Sequence, residues 1–317
     1  MSPSTFLLLH AETPLHPGTG SALGAVDLPV ARERATGWPL VPGSSLKGIL
    51  RDVCRRTLEE GREEKGSRLW AAFGPTTNSA SEAAGALSVT DARLLAFPLR
   101  SLSGLFAWAT CPAALERFVR DARIAGPDNA VTQAARALCT RAVAMREGEA
   151  DKCALVAPGS PLVDGKTGKL VFEEFDYEAK ESPEVKAFGA ALDAELGGDE
   201  MRLKSHLAVV SDNAFAFSTR YATEVSARIQ LDPESKTVKE GALFYQEFLP
   251  AGTIFSALVL AEAPHGSKRD DDLDSAGKVL GYVREGLGKS KGVVQVGGNA
   301  TIGKGICTVK LLNGKEA

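Results

Sequence analysis

The chain has 317 residues, 44% of them apolar and 24% charged, with a formal net charge of −3 and a mean hydropathy of −0.06. That is the composition of a folded soluble protein, one elaborated domain or two ordinary ones, and no apolar run approaches the eighteen or so residues that cross a bilayer. The start "MSPSTFLLLHAETPL" lacks a basic n-region, and the five scattered cysteines form no CxxC pair, so a reducing cytoplasm is expected, without membrane or disulfide framework.

In chain order, "TFLLLHAETPL" (5–15) predicts a first strand. Residues 16–43 follow without periodicity, with glycines at 18, 20, 24 and 37 and prolines at 17, 29, 39 and 42. A loop that long inside a compact domain is usually functional or disordered, and its charged content ("DLPVARERATGWP") favours function. Over 44–60, Leu46, Ile49, Leu50, Val53, Cys54 and Leu58 repeat at helical spacing, with Ser44 or Ser45 able to cap the start. Lys47, Arg51 and Arg55 form a basic stripe on the same helix. "GALSVTDARLLAFPL" (85–99) reads as a strand region with a bulge.

The middle, about 104–205, predicts helices at 112–122, 129–146 and 183–196 with strand-like "KLVFEEF" between them, and reads as an insertion. "ATEVSARIQLD" alternates apolar and polar residues and, through "DPESK", leads into "VKEGALFYQEFLP", a long hairpin. The end reads as strand (253–263), helix (near 272–287), then "GVVQVGG" and "ICTVKLL" around a glycine-rich loop. The fold class expected is α+β: a ferredoxin-like (RRM-like) core, about 1–103 and 251–317, within a single domain. It carries large insertions, namely the partly helical middle segment and a β-hairpin region at about 206–250.

Charge is segregated. Residues 28–56 carry a net +4 and residues 278–310 a net +5, whereas 164–200 carry −7. Two basic ends and an acidic middle suggest one anion-facing surface, although solvated helix faces produce the same pattern.

Three motifs carry chemistry. In "VPGSSLKGILR" the unpaired N–H groups of a helix start, Ser44, Ser45 and Lys47 have the makings of an anion site, with Gly48 leaving the backbone approachable. The plain alternative is a capped amphipathic helix. In "VGGNATIGKGICTV" the run from Gly298 to Gly303-Lys304 nearly spells a phosphate loop. Gly305 stands where Ser or Thr should be, however, and a strand follows in place of a helix. What survives is a loop with Gly297, Gly298, Asn299, Thr301, Gly303 and Lys304 able to approach a phosphate chain, or else a flexible hairpin. In the long loop, Asp27 followed by Arg32 and Arg34 suits phosphodiester chemistry: an acid to hold a metal or accept a proton, and arginines to clamp phosphate. A lone loop aspartate is also a common turn former. His16 lies in the same loop. No HExxH, CxxC or GxSxG occurs, so zinc hydrolase and serine esterase readings have no support.

"LHPGTGSALGAVDLPVARERATGWPLVPGSSLKGILR", "GGNATIGKG" and "ALFYQEFLP" together resemble the RAMP superfamily, and more closely the backbone subunits of type III-B (Cmr) CRISPR effector complexes. The resemblance covers both ends and 243–250, not the middle. It implies an RRM-like core with a hairpin thumb at about 206–250. Further copies would stack in a helical filament along a CRISPR RNA, beside the complex's other subunits. Target single-stranded RNA would be cut at regular intervals with Mg²⁺ or another divalent metal. It implies Asp27 as the catalytic and metal-holding residue, with His16 carried as a second catalytic candidate. Arg32, Arg34, Ser44, Ser45, Lys47, Gly48, Arg51 and the glycine loop would contact RNA, and Tyr245 and Glu247 would lie on the thumb's target side. Low aromatic content (6%) departs from a domain that reads bases by stacking and fits one that grips backbone while base pairing reads sequence. A non-catalytic structural subunit, and an enzyme that processes CRISPR RNA, remain the alternatives.

Overall fold

The computed structural model describes residues 4–21, 24–58, 67–75, 84–126, 128–147, 150–229, 232, 234–235, 237–238, 242–264 and 273–312. β1 (Ser4–Ala11) is buried from Thr5 onward. Leu7, Leu9 and Ala11 enter one apolar core and Phe6 and Leu8 another, which is why a nearly continuous apolar run is needed here. The strand expected to reach residue 15 ends at Ala11; Leu15 instead makes an isolated bridge to Leu249.

After the loop come β2 (Leu40–Val41) and α1 (Gly43–Thr57), which buries Leu46, Leu50, Val53 and Cys54, the face its periodicity predicts. α2 (Arg68–Phe73) is capped by Ser67, whose hydroxyl accepts the Trp70 N–H. The 85–99 run divides into β3 (Leu87–Val89) and β4 (Ala92–Arg100). The middle supplies β5 (Phe106–Thr110), α3 (Pro112–Ala122), α4 (Ala130–Val143), β6 (Cys153–Val156), β7 (Lys169–Phe172), β8 (Phe175–Glu181) and α5 (Pro183–Leu196). Its three helices lie where their spacing placed them. Then follow α6 (Leu203–His206), β9 (Leu207–Val209), α7 (Asp212–Tyr221), the hairpin β10 (Glu224–Arg228) and β11 (Phe244–Phe248), β12 (Ile254–Ala261), α8 (Ala276–Lys289), β13 (Val293–Gln295) and β14 (Ile306–Leu311).

The main sheet is mixed and runs β13-β14-β1-β12-β4-β5-β9-β6-β8-β7. Within it β14-β1-β12-β4 is wholly antiparallel, and the helices α1 and α8 connect its strands. β12 pairs with β3 through Val259–Ala261 and with β4 through Ile254–Ser256, where the β4 register shifts between Ile254 and Phe255, an irregularity within the 85–99 region where a bulge was expected. The sheet then curls, so that Ser101 at the end of β4 bridges Phe172 of β7.

Helices cover both faces. α8 packs on α1 so closely that a side chain at Gly286 would meet Cys54 Sγ at 2.8 Å. On the opposite face Phe6 stacks on Phe118 of α3 at 4.5 Å. All five cysteines are buried and none forms a disulfide. Two segments differ from expectation. The middle is woven into the sheet through β5 to β8, and residues 206–221, expected in the thumb region, form β9 and α7 instead. Those residues are buried where they meet the sheet, whereas β10, which begins the hairpin at Glu224, is exposed or half-buried throughout.

Candidate nucleic-acid interface

β11 has two edges. Its even-numbered residues lie opposite Glu224, Ser226 and Arg228 of β10. Its odd-numbered residues turn their N–H and C=O groups to the other side, because successive peptide groups alternate along a strand, and there they hold the long loop. Leu28 N–H donates to the Tyr245 carbonyl at 3.0 Å and Glu247 N–H to the Leu28 carbonyl at 3.0 Å. Leu15 and Leu249 exchange both bonds.

Two ladder positions are filled by side chains. The Asp27 carboxylate accepts the Tyr245 N–H at 2.7 Å, and the His16 Nδ1–H donates to the Glu247 carbonyl at 2.7 Å. Since a carbonyl only accepts, His16 Nδ1 carries the proton of this bond. Asp27 and His16 thus grip one strand edge two residues, about 7 Å, apart. Asp27 is half-buried, and only one of its oxygens is bonded among the described residues. His16 is 7% exposed, and its Nε2 lies against Gly18, where a side chain would meet it at 2.6 Å. His16, put forward from the sequence as a catalytic candidate, is buried and bonds the long loop to β11.

Arg32 and Glu247, read as an RNA contact and a target-side residue, are bonded to each other. Arg32 reaches Glu247 Oε1 at 2.5 Å, the Gly37 carbonyl at 2.9 Å and the Thr219 carbonyl at 3.0 Å. Glu247 Oε2 accepts the Val30 N–H at 3.0 Å, and the carboxylate is buried. The pairing follows from burial: a buried acid needs a cation, and Arg32 supplies it. Arg34, by contrast, is exposed and has no ion pair among the described residues. Tyr245 is 41% exposed on the thumb.

The glycine loop closes the arrangement from the other side. A side chain at Gly297 (φ +75) would meet the His16 carbonyl at 2.2 Å, and one at Gly305 (φ +73) the Val296 carbonyl at 2.0 Å. Gly298 N–H donates to the His16 carbonyl at 3.1 Å. These glycines therefore serve close backbone approach inside the protein. Gly303, at φ +74, has open space around it, and Thr301 is exposed. Asn299, itself left-handed at φ +67, accepts from Arg228 of β10 at 2.9 Å. Arg228 also bonds Gln246, so it ties thumb to loop. Lys304 Nζ sits 5.0 Å from the Phe248 ring centroid, a cation–π contact that aims the ammonium at the thumb root.

The α1 start forms a second surface. Neither serine caps it: the N-cap position is Pro42, and the Asp91 carboxylate accepts the Gly43 N–H at 2.7 Å. Ser44, Ser45 and Gly48 are exposed, with nothing within 4 Å of a side chain built on Gly48. Lys47 is half-buried with no acid bonded to it among the described residues, and burial first, then Arg51, holds its pKa below the usual lysine range. Arg51 bonds the Gly74 and Pro75 carbonyls after α2 at 2.7 and 3.3 Å. A strand-and-helix reading does not show that these carbonyls end up beside α1.

His16, Asp27, Gly297, Gly298, Asn299 and Lys304 are thus drawn to the base of the β10–β11 hairpin, while Ser44, Ser45, Lys47 and Gly48 stand at the helix start. Arg228 and Asp91 were not singled out from sequence. The alternation of the thumb strands marks Arg228 as a surface residue but not its partner, and "VTDAR" between two strands is the only hint of Asp91 as a cap. Among the described residues no group of three or more His, Cys, Asp or Glu side chains is placed to hold a metal ion. No helix there is long and apolar enough to cross a membrane.

The model of the RAMP superfamily matches residues 8–308. The chain is 38% identical over 306 residues to the CRISPR system Cmr endoribonuclease Cmr4 of Pyrococcus furiosus, covering 96% of this chain and 94% of that protein. The crystal structure of oligomeric Cmr4 from Pyrococcus furiosus superposes with a TM-score of 0.69 at 30% identity, over 98% of this chain and 99% of that one. A subunit in the cryo-EM structure of the type III-B Cmr-beta complex bound to cognate target RNA gives 0.71 at 20% identity, over 97% and 96%, a likeness of fold. Matched over nearly its whole length by both family model and relative, the chain belongs to the RAMP superfamily.

Proposed function

We propose that this protein is a backbone subunit of a cytoplasmic type III-B (Cmr) CRISPR effector complex and an endoribonuclease. It holds a CRISPR RNA, stacks with further copies of itself and with the complex's other subunits, and cuts guide-paired target RNA at regular intervals. The strand order β14-β1-β12-β4, with α1 and α8 as crossovers, supports a ferredoxin-like core, and the β10–β11 hairpin serves as the thumb. Lys47, Ser44, Ser45, Gly48 and Arg34 present an open basic surface for guide phosphates, and Lys304 and Thr301 a second contact at the thumb root.

The observation that carries the catalytic reading is the Asp27 carboxylate, fixed through one oxygen to the thumb strand with the other unbonded among the described residues. One carboxylate oxygen suits Mg²⁺ or a similar divalent ion, which keeps much of its water and takes its remaining oxygens from phosphate. Such an ion would neutralise charge at the scissile phosphate. Asp27 either positions such an ion or itself takes the proton of the neighbouring ribose 2′-hydroxyl; that oxygen attacks phosphorus and the 5′-oxygen leaves, taking up a proton from solvent water, to give a 2′,3′-cyclic phosphate and a 5′-hydroxyl. The Tyr245 N–H keeps the carboxylate aimed, and His16 keeps the loop seated. In the assembled complex Asp27→Asn should stop cutting at every interval while guide binding stays nearly unchanged, and EDTA should stop it too. Undiminished cutting by the variant sinks the catalytic assignment and leaves a purely structural subunit.

A further inference from the structure

Two hollows between the β7–β8 turn and α7 share an aromatic wall. Phe172 pairs with Phe175 across the turn, which leaves Glu174 exposed at its tip. Phe175, Phe217 and Tyr221 are 45%, 48% and 62% exposed, yet their rings lean on one another, with centroids 5.2 and 4.6 Å apart. On one side lies a hollow of about 400 Å³ lined by Asp151, Tyr177 and Asn213. On the other lies one of about 260 Å³ that reaches Tyr221. Glu174, Phe175 and Phe217 belong to both, so the two form one groove that crosses the aromatic pair.

Not every acid in this groove is available. Glu173 pairs with Arg100 and Asp176 with Lys169. Glu174 and Asp151 have no cation bonded to them among the described residues. Asp151 accepts from the Ser211 hydroxyl at 2.5 Å and from Asn213 at 3.5 Å, neutral donors that fix the carboxylate and leave its charge in place. Tyr177 is only 5% exposed, and its hydroxyl has no hydrogen-bond partner among the described residues. It lines the hollow beside Asp151, and burial first, then the Asp151 charge, pushes its pKa up. A buried hydroxyl without a partner calls for an explanation. So does an aromatic wall whose faces, which attract cations, stand beside two uncompensated carboxylates.

We propose that this groove binds a linear organic polyamine. One ammonium sits between the Asp151 carboxylate and the Tyr177 hydroxyl oxygen, the methylene stem crosses Phe175 and Phe217, and the next ammonium meets Glu174. A metal ion is a poor match, because among the described residues no three His, Cys, Asp or Glu side chains converge to hold one. Phosphate is repelled by the two unpaired acids. An alkylammonium chain uses every part of the groove: charge for the carboxylates, an N–H for the phenol oxygen and an apolar stem for the rings. None of these residues belongs to the set proposed to hold guide or cut target, so the site is independent of that reading.

The test is isothermal titration calorimetry of the full-length chain, free of RNA, with spermidine at fixed ionic strength. One spermidine should bind per chain, and magnesium at equal ionic strength should not displace it. Tyr177→Phe, which keeps the ring, and Glu174→Gln should each weaken binding by about tenfold. Glu174 lies on an exposed turn, so its variant keeps the test sound should loss of the phenol disturb packing. No stoichiometric binding by the wild type overturns the site, and so does a Glu174→Gln chain that binds as tightly as the wild type. Displacement by magnesium shows an effect of charge alone and overturns it as well. A lysine-rich peptide that binds where spermidine does not makes the groove a docking surface for a basic protein and overturns the polyamine assignment.

Discussion

Asp27 and Tyr245 are joined side chain to backbone: the carboxylate takes the N–H that a neighbouring strand would otherwise take. A loop residue 218 positions away in sequence is thereby held in register with the thumb. The same strand edge holds His16 through the Glu247 carbonyl, so the loop is laid down like a strand whose two critical bonds come from side chains.

Asparagine at position 27 keeps an oxygen for the Tyr245 N–H and alanine does not. Asp27→Asn should therefore lose cutting by about 10²-fold or more with loop protection intact. Asp27→Ala should lose cutting and also expose the Tyr245 amide. Cleavage gels together with hydrogen exchange at Tyr245 and Leu28 separate the two effects. Equal exchange in both variants would contradict the bond's role.

Arg32 neutralises buried Glu247. Arg32→Ala should lower stability by about 3 kcal/mol, since it leaves a buried charge unpaired. Arg32→Met combined with Glu247→Leu should cost less than Arg32→Ala alone. Denaturant melts check the order, and a double variant worse than the single would contradict the pairing.

Lys47 has a lowered pKa from burial and from Arg51. Its folded form sheds its proton at lower pH than the unfolded chain, so the unfolded chain binds more protons and Lys47's contribution to stability rises with pH up to the ordinary lysine value. Guide binding works the other way: a deprotonated Lys47 cannot hold phosphate, so affinity should fall through the alkaline range below 10.5. Lys47→Arg should remove that fall. Lys47→Ala should reduce the log–log salt slope by about 0.7 for single-stranded RNA. An unchanged slope would place Lys47 outside the RNA surface.

Gly297 and Gly303 have the same left-handed φ, +75 and +74, but only Gly297 is pressed against another backbone. Gly303→Ala should cost about 1–2 kcal/mol from conformation alone. Gly297→Ala should cost distinctly more, because His16 and the loop must move. Melting temperatures compare them, and equal losses would show that the contact with His16 has room to give.

The apolar periodicity of α1, the alternation of the thumb strands and the two glycine-rich ends were legible in the sequence because each is a local pattern, set by a few neighbouring residues. So was the long loop in which Asp27 lies. The availability of each charged group was not legible. Arg32 and Arg34 look alike in "ARER", and only the fold brings Thr219 and Glu247 to one of them. Likewise Ser44 looked like a cap until Asp91, 48 positions from the Gly43 it bonds, took the place. Local patterns of side-chain size and polarity determined the elements and the candidates. Which cations are already engaged, and which carboxylate keeps an oxygen free, was decided by contacts between residues far apart in the chain, because burial and pairing exist only once the sheet, loop and thumb have closed on one another.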